Sequence, residues 1–209
     1  CLAATLYALT QARPEAAIEV TNRLRELNSD VVRLEAIQDE PRHQIVLRAQ
    51  VRGVDNWLFG RSLSDGTLRY IALALMLVDV EDRGVLCVEE PENGIYPARI
   101  PDLIRLLRDY AVDPREKVDD DNPLRQVILN THSPEVARQV PFADLVVAER
   151  VERSGGVTHS IFRPVQDTWR ARATGTAHPK DRLAIEQFIG GSPPGEHLKQ
   201  LSLNLGTAV

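Results

Sequence analysis

"SLSDGTLRY", residues 62–70, decides how the rest of the chain is read. It sets Ser64, Asp65 and Gly66 where a long apolar run, "TLRYIALALMLVDV" (67–80), begins. A serine accepts a free amide of a helix's first turn, and an acid there complements the helix dipole. The pattern therefore predicts a helix from residue 64 to about 80 with Ser64 as its cap. Because it is apolar almost all round, it should be deeply buried. The amides at such a start favour an anion, and a glycine lets that anion come close to the main chain. Taken alone, Ser64 reads first as a plain cap.

Downstream, "GVLCVEE" (84–90) is a short apolar run ending in acids, which predicts a strand buried on both faces with Cys87 inside it. "PARIPDLIRLLRDYA" (97–111) predicts an amphipathic helix with Ile100, Leu103, Ile104, Leu107 and Tyr110 on one side. Residues 112–123 read as a charged loop. "RQVILNTHSP" (125–134) is a second buried strand with a polar end, and Pro134 opens a short helix. "DLVVAERV" (144–151) and "GGVTHSIFRP" (155–164) read as a strand pair. "DRLAIEQFI" (181–189) suggests one more helix, and residues 190–209 read as a mobile tail. Upstream, residues 1–29 give two helical stretches broken near Pro14, then strands at "DVVRLEAI" (30–37) and "HQIVLRAQV" (43–51), closed by "NWLFG". Alternating strands and helices predict an α/β layer with a parallel sheet, whose ligands gather at the strands' carboxyl ends. Those ends carry Glu89-Glu90 and Thr131-His132.

The 209 residues suffice for one substantial core, with or without an annex. No stretch approaches the roughly 18 apolar residues of a membrane helix. A net charge of −5 argues against a surface that traps nucleic acid over its whole area. Two cysteines, Cys1 and Cys87, make a disulfide framework a poor expectation, which favours a reducing, cytoplasmic setting. "CLAATLYALT" lacks a basic leader, and the missing initial Met suggests processing or a fragment.

In order, the chain reads Ser64-Asp65-Gly66-Thr67, Glu89-Glu90-Pro91, Glu92-Asn93-Gly94-Ile95-Tyr96-Pro97 and Thr131-His132-Ser133-Pro134. This order resembles the C-terminal half of an ABC-type ATPase of the SMC/RecF-like group, within the AAA family of ATP-binding proteins. The resemblance covers residues 40–150 or so, and the order of four motifs is more specific than any one of them. It implies a P-loop NTPase-like fold: a parallel sheet with flanking helices, plus a small antiparallel strand region. "LSDGT" matches the family's signature, "VLCVEEPE" its Walker B strand and catalytic acid, "ENGIYP" its D-loop, and "THSP" its switch histidine.

By that resemblance Ser64, Asp65, Gly66, Thr67 and Asn93 would contact ATP. Glu89 would hold Mg²⁺ where the family usually has Asp, one methylene shorter. Glu90 would orient or deprotonate the attacking water, since phosphoryl transfer needs a positioned nucleophile. His132 would hydrogen-bond the γ-phosphate. The plainer alternatives are a strand ending in solvated acids and a satisfied histidine at a strand end. Consecutive strand residues face opposite ways, so Glu89 and Glu90 should not share a task. Arg69 could face a phosphate or pack its stem. Asp119-Asp120-Asp121 reads as a solvated loop rather than a metal site.

A phosphate loop, G-x-x-x-x-G-K-[ST], is missing: no Gly-Lys pair occurs, and the only lysines are Lys117, Lys180 and Lys199. The expected organisation is a segment at 1–40 continuing from a missing N-terminal lobe, the ATPase lobe at 41–165, and a partly flexible extension at 166–209. The family's head-to-tail pairing implies a second ATPase subunit, or a polypeptide carrying the Walker A lobe, as partner. DNA is implied by resemblance only, and no membrane is expected. The competing expectation is a degenerate, non-catalytic half that scaffolds a partner protein.

Overall fold

The computed structural model describes residues 1–79, 81, 83–152, 158–175 and 178–190, and residues 202–206 as main chain. The chain divides into two compact units: residues 1–83, 93–110 and 118–123 form the first, and residues 84–92, 111–117 and 124–209 the second. Among the described residues no helix is long and apolar enough to cross a membrane.

In the first unit, helices α1 (Leu2–Ala12) and α2 (Ala16–Leu27) break around Pro14, as the sequence predicts. Proline has no amide to donate and disfavours helix in the residue before it. Strands β1 (Val31–Asp39), β2 (Gln44–Val51) and β3 (Leu58–Phe59) form an antiparallel sheet in that order. Glu35 lies opposite Arg48 in the β1–β2 register and bonds its guanidinium, which also stacks 4.3 Å from the Trp57 ring.

Helix α3 (Asp65–Val78) buries Tyr70, Ile71, Leu73, Ala74, Leu75 and Val78. Helix α4 (Ile100–Tyr110) buries each of its five predicted inward residues and Leu106 as well. Tyr70 is fully buried, and its hydroxyl lacks a hydrogen-bond partner among the described residues. Burial, aided by the charges of Glu26 and Asp102, pushes its phenol well above the ordinary range.

In the second unit, β4 (Gly84–Glu89) pairs in parallel with β5 (Arg125–Asn130), from Gly84 opposite Arg125 to Glu89 opposite Asn130. Strands β6 (Leu145–Glu152) and β7 (Thr158–Pro164) form the expected antiparallel pair. Residues 153–157, between the two strands in sequence, lie outside the described residues. A further strand, β8 (Ser202–Gly206), lies between β5 and β6, antiparallel to both. The sequence reading gave residues 190–209 no regular structure; most of that stretch lies outside the described residues. Among the described residues this unit also holds helices α5 (Pro134–Arg138), α6 (Trp169–Ala173), which the sequence reading missed, and α7 (Arg182–Ile189). The whole is a mixed α/β fold with a parallel strand pair, helices and antiparallel sheets.

One expectation fails. Strand β4 is not buried on both faces: Val85 is 55% exposed, Cys87 is exposed, and Ile128 beside it on β5 is 38% exposed. The physical reason is cover: Val85, Cys87 and Ile128 share one side of the β4–β5 ladder, and no described residue packs over that side closely enough to bury them. A continuous apolar run cannot tell one covered face from two.

Candidate functional site

The predicted residues fall into two groups, one in each unit. In the first unit, Ser64 caps α3 as predicted: the Thr67 amide donates to Ser64 Oγ at 3.2 Å, and the two hydroxyl oxygens lie 2.8 Å apart. Ser64 and Asp65 are exposed, whereas Gly66 is buried. The missing Cβ at Gly66 serves another chain segment rather than an open approach. A Cβ built there would lie 2.1 Å from the Gly94 carbonyl oxygen and 3.2 Å from the Ile95 amide nitrogen. The start of α3 is thus in main-chain contact with the loop that carries Asn93. Gly94 itself has φ +80°, a conformation that glycine adopts without strain.

In the second unit the parallel register of β4 and β5 brings their carboxyl ends level, and Glu90 meets the histidine. His132 Nε2 lies 3.4 Å from Glu90 Oε1. Glu90 departs from the strand alternation used in the sequence reading. The strand ends at Glu89, and Glu90 takes a left-handed conformation with φ +42°. Such a conformation is uncommon for a residue with a side chain. Two hydrogen bonds hold it, from the Glu90 amide to the Asn130 carbonyl at 3.0 Å and to Asn130 Oδ1 at 3.1 Å. Glu89 is exposed at the end of β4. Held strain of this kind is found where structure over-determines a functional group.

Glu92, given no separate role by the sequence reading, also belongs to this group. Its Oε1 accepts a hydrogen bond from Thr131 Oγ1, and its Oε2 is buried without a partner among the described residues. Thr131 is 1% exposed, and its hydroxyl oxygen accepts the Ser133 amide at 2.9 Å. The sequence signal was the third glutamate of "EEPE", which was absorbed into the D-loop match.

Residues 8–138, more than half of the chain, match the family described as "AAA domain, putative AbiEii toxin, Type IV TA system". The chain belongs to this AAA-domain family. Membership supports an ATPase-type, nucleotide-binding domain. Among solved structures, the chain is similar to the Smc head domain with an extended coiled coil bound to the C-terminal domain of ScpA, from Pyrococcus furiosus. That match has 10% identity and a TM-score of 0.51, and covers 79% of this chain and 37% of that one. It is also similar to the SmcHead bound to the C-winged helix domain of ScpA, with 10% identity and a TM-score of 0.52, covering 80% of this chain and 46% of that one. The chain therefore spans less than half the length of these two structures. At such identities the likeness concerns fold: the AAA-domain chain is built like an SMC ATPase head. No curated protein sequence matches it.

Proposed function

We propose that this chain is the ATP-hydrolysing part of an SMC/RecF-like ATPase that works as a head-to-tail dimer. Its phosphate loop would come from polypeptide outside these 209 residues. The observation that carries the reading is the Glu90–His132 pair, 3.4 Å apart at the level ends of two parallel strands. Ligands in open α/β sheets bind at such ends.

In this reading Glu90 orients the attacking water and accepts its proton, and His132 donates to the terminal phosphate. Ser64, Asp65, Gly66 and Thr67 would present the α3 start to the nucleotide of the opposing subunit, with Asn93 beside them. The Gly66–Gly94 contact would make those two segments move as one. Mg²⁺ suits the hard oxygens at the end of β4. It takes one or two carboxylates and fills its shell with water and phosphate oxygens. Among the described residues no group of three or more His, Cys, Asp or Glu could hold a metal by itself, so phosphate must complete the shell. Glu89 would be the protein's ligand, and the ion would neutralise charge on the transferred phosphoryl group. The open apolar face at Val85, Cys87 and Ile128 supports a further lobe packed there, because burying such surface stabilises an assembly.

The test is ATP turnover by the protein supplied with its phosphate-loop lobe, with Glu90→Gln alongside. A fall of about 100-fold or more is expected. An equal rate in the variant would remove Glu90 from the mechanism, and no turnover by the parent would favour the non-catalytic scaffold.

A further inference from the structure

Glu92 is the acid that the proposed mechanism leaves without a task, and its surroundings give it one. We infer that Glu92 is a positioning residue: by holding the Thr131 hydroxyl it fixes the main chain on which His132 is mounted.

A threonine hydroxyl has one proton to give and lone pairs to accept with. Here the proton goes to Glu92 Oε1, which turns a lone pair toward the Ser133 amide. The two bonds bracket His132, between a buried residue and the cap of α5, where Ser133 Oγ accepts the Val136 amide at 3.4 Å. Freed from Glu92, the hydroxyl could rotate, and the Ser133 amide would lose an aligned acceptor. The acceptor is a carboxylate oxygen, the bond is part-buried and its donor residue is 1% exposed, so it is of the strong kind. Glu92 Oε2, buried and without a donor among the described residues, leaves the carboxylate to depend on that one partner there. Glu90 needs no such help, since Asn130 holds its main chain. The site thus has two independent supports, Asn130 for the acid and the Glu92–Thr131 pair for the histidine.

The inference rests on the proposed ATPase reading only where turnover is the readout; the positioning itself is read by amide hydrogen exchange in this chain without nucleotide. In Glu92→Ala and Thr131→Val, exchange at Ser133 should rise about tenfold or more, the worth of one charge-assisted bond. The β6 amides should stay protected, which separates local release from unfolding. Glu92→Gln keeps a carbonyl acceptor for Thr131, and Thr131→Ser keeps the hydroxyl, so both should restore most of the protection. Turnover should follow the same ranking, and the double variant Glu92→Ala/Thr131→Val should lose no more than either single one. Unchanged Ser133 exchange in Glu92→Ala overturns the inference, as does full additivity of the two substitutions. Altered exchange together with a protein that never hydrolyses ATP would uphold the positioning and reject the ATPase reading.

Discussion

Gly66 and Gly94 meet main chain to main chain. A Cβ on Gly66 would lie 2.1 Å from the Gly94 carbonyl oxygen, and one on Gly94 would lie 3.1 Å from the Gly66 amide nitrogen. The helix start that reads as a signature and the loop that reads as a D-loop are therefore coupled by backbone, which cannot move aside as a side chain can. Gly66→Ala should cost about 3 kcal/mol or more, the upper end of overpacking. Gly94→Ala adds a tight contact to left-handed strain and should cost about 2 kcal/mol. Gly53, at φ +77° with nothing near it, isolates the strain alone, about 1 kcal/mol. Urea unfolding should rank the three in that order; a Gly66→Ala protein no weaker than Gly53→Ala would refute the contact.

Ser64 can be divided between its two tasks. Its cap bond to the Thr67 amide is met equally well by aspartate, which also suits the helix dipole. Ser64→Asp should keep stability within about 0.5 kcal/mol, whereas Ser64→Ala should lose about 1 kcal/mol. If the α3 start receives a phosphate, the added negative charge of Ser64→Asp should cut turnover about tenfold or more by repulsion. Stable protein with undiminished turnover would leave Ser64 as a cap and nothing else.

The part of the fold set by local chemistry was legible in advance. The α3 start, the break at Pro14, the inward face of α4 and the polar ends of β4 and β5 all follow from caps, breakers and periodicity. What escaped depended on partners distant in sequence. The open face of β4 is one over which no described residue packs closely, and an apolar run does not encode what covers it. Glu92 looked like one more loop acid because its partner, Thr131, lies 39 residues away. The Glu90 conformation was hidden too, since a pair of glutamates ending a strand reads as simple alternation. Strand β8 falls in the stretch read as a mobile tail, although Leu203 and Leu205 alternate in "SLNLG".

Glu90 holds its left-handed conformation at a cost of about 1–2 kcal/mol, and asparagine tolerates that region better. The Glu90–His132 pair is partly exposed and worth no more than about 1 kcal/mol. Glu90→Asn should therefore fold at least as stably as the parent, to within about 0.5 kcal/mol. Glu90→Val, β-branched, should lose about 1–2 kcal/mol. Both should lose turnover by about 100-fold or more. A large loss of stability in Glu90→Asn would show that the carboxylate holds the fold rather than the chemistry.

Glu149 sets part of the response to acid. Burial favours its neutral form, but hydrogen bonds and charge from Lys180 and from Arg163 outweigh burial and hold the carboxyl below its ordinary value of 4.5. Arg163 Nε lies 2.8 Å from Glu149 Oε2, and Lys180 Nζ lies 2.5 Å from Oε1. A group whose value is lower folded than unfolded binds fewer protons in the native state there, so it stabilises the fold above the unfolded value. That contribution is complete above pH 4.5 and drains away as pH falls through the lowered folded value. Glu149→Gln should thus be less stable than the parent at neutral pH, and the gap between them should narrow steadily below pH 4.5. Unfolding midpoints measured across that range decide it: a gap that stays constant with pH would mean that the loss comes from packing, not from the paired charge.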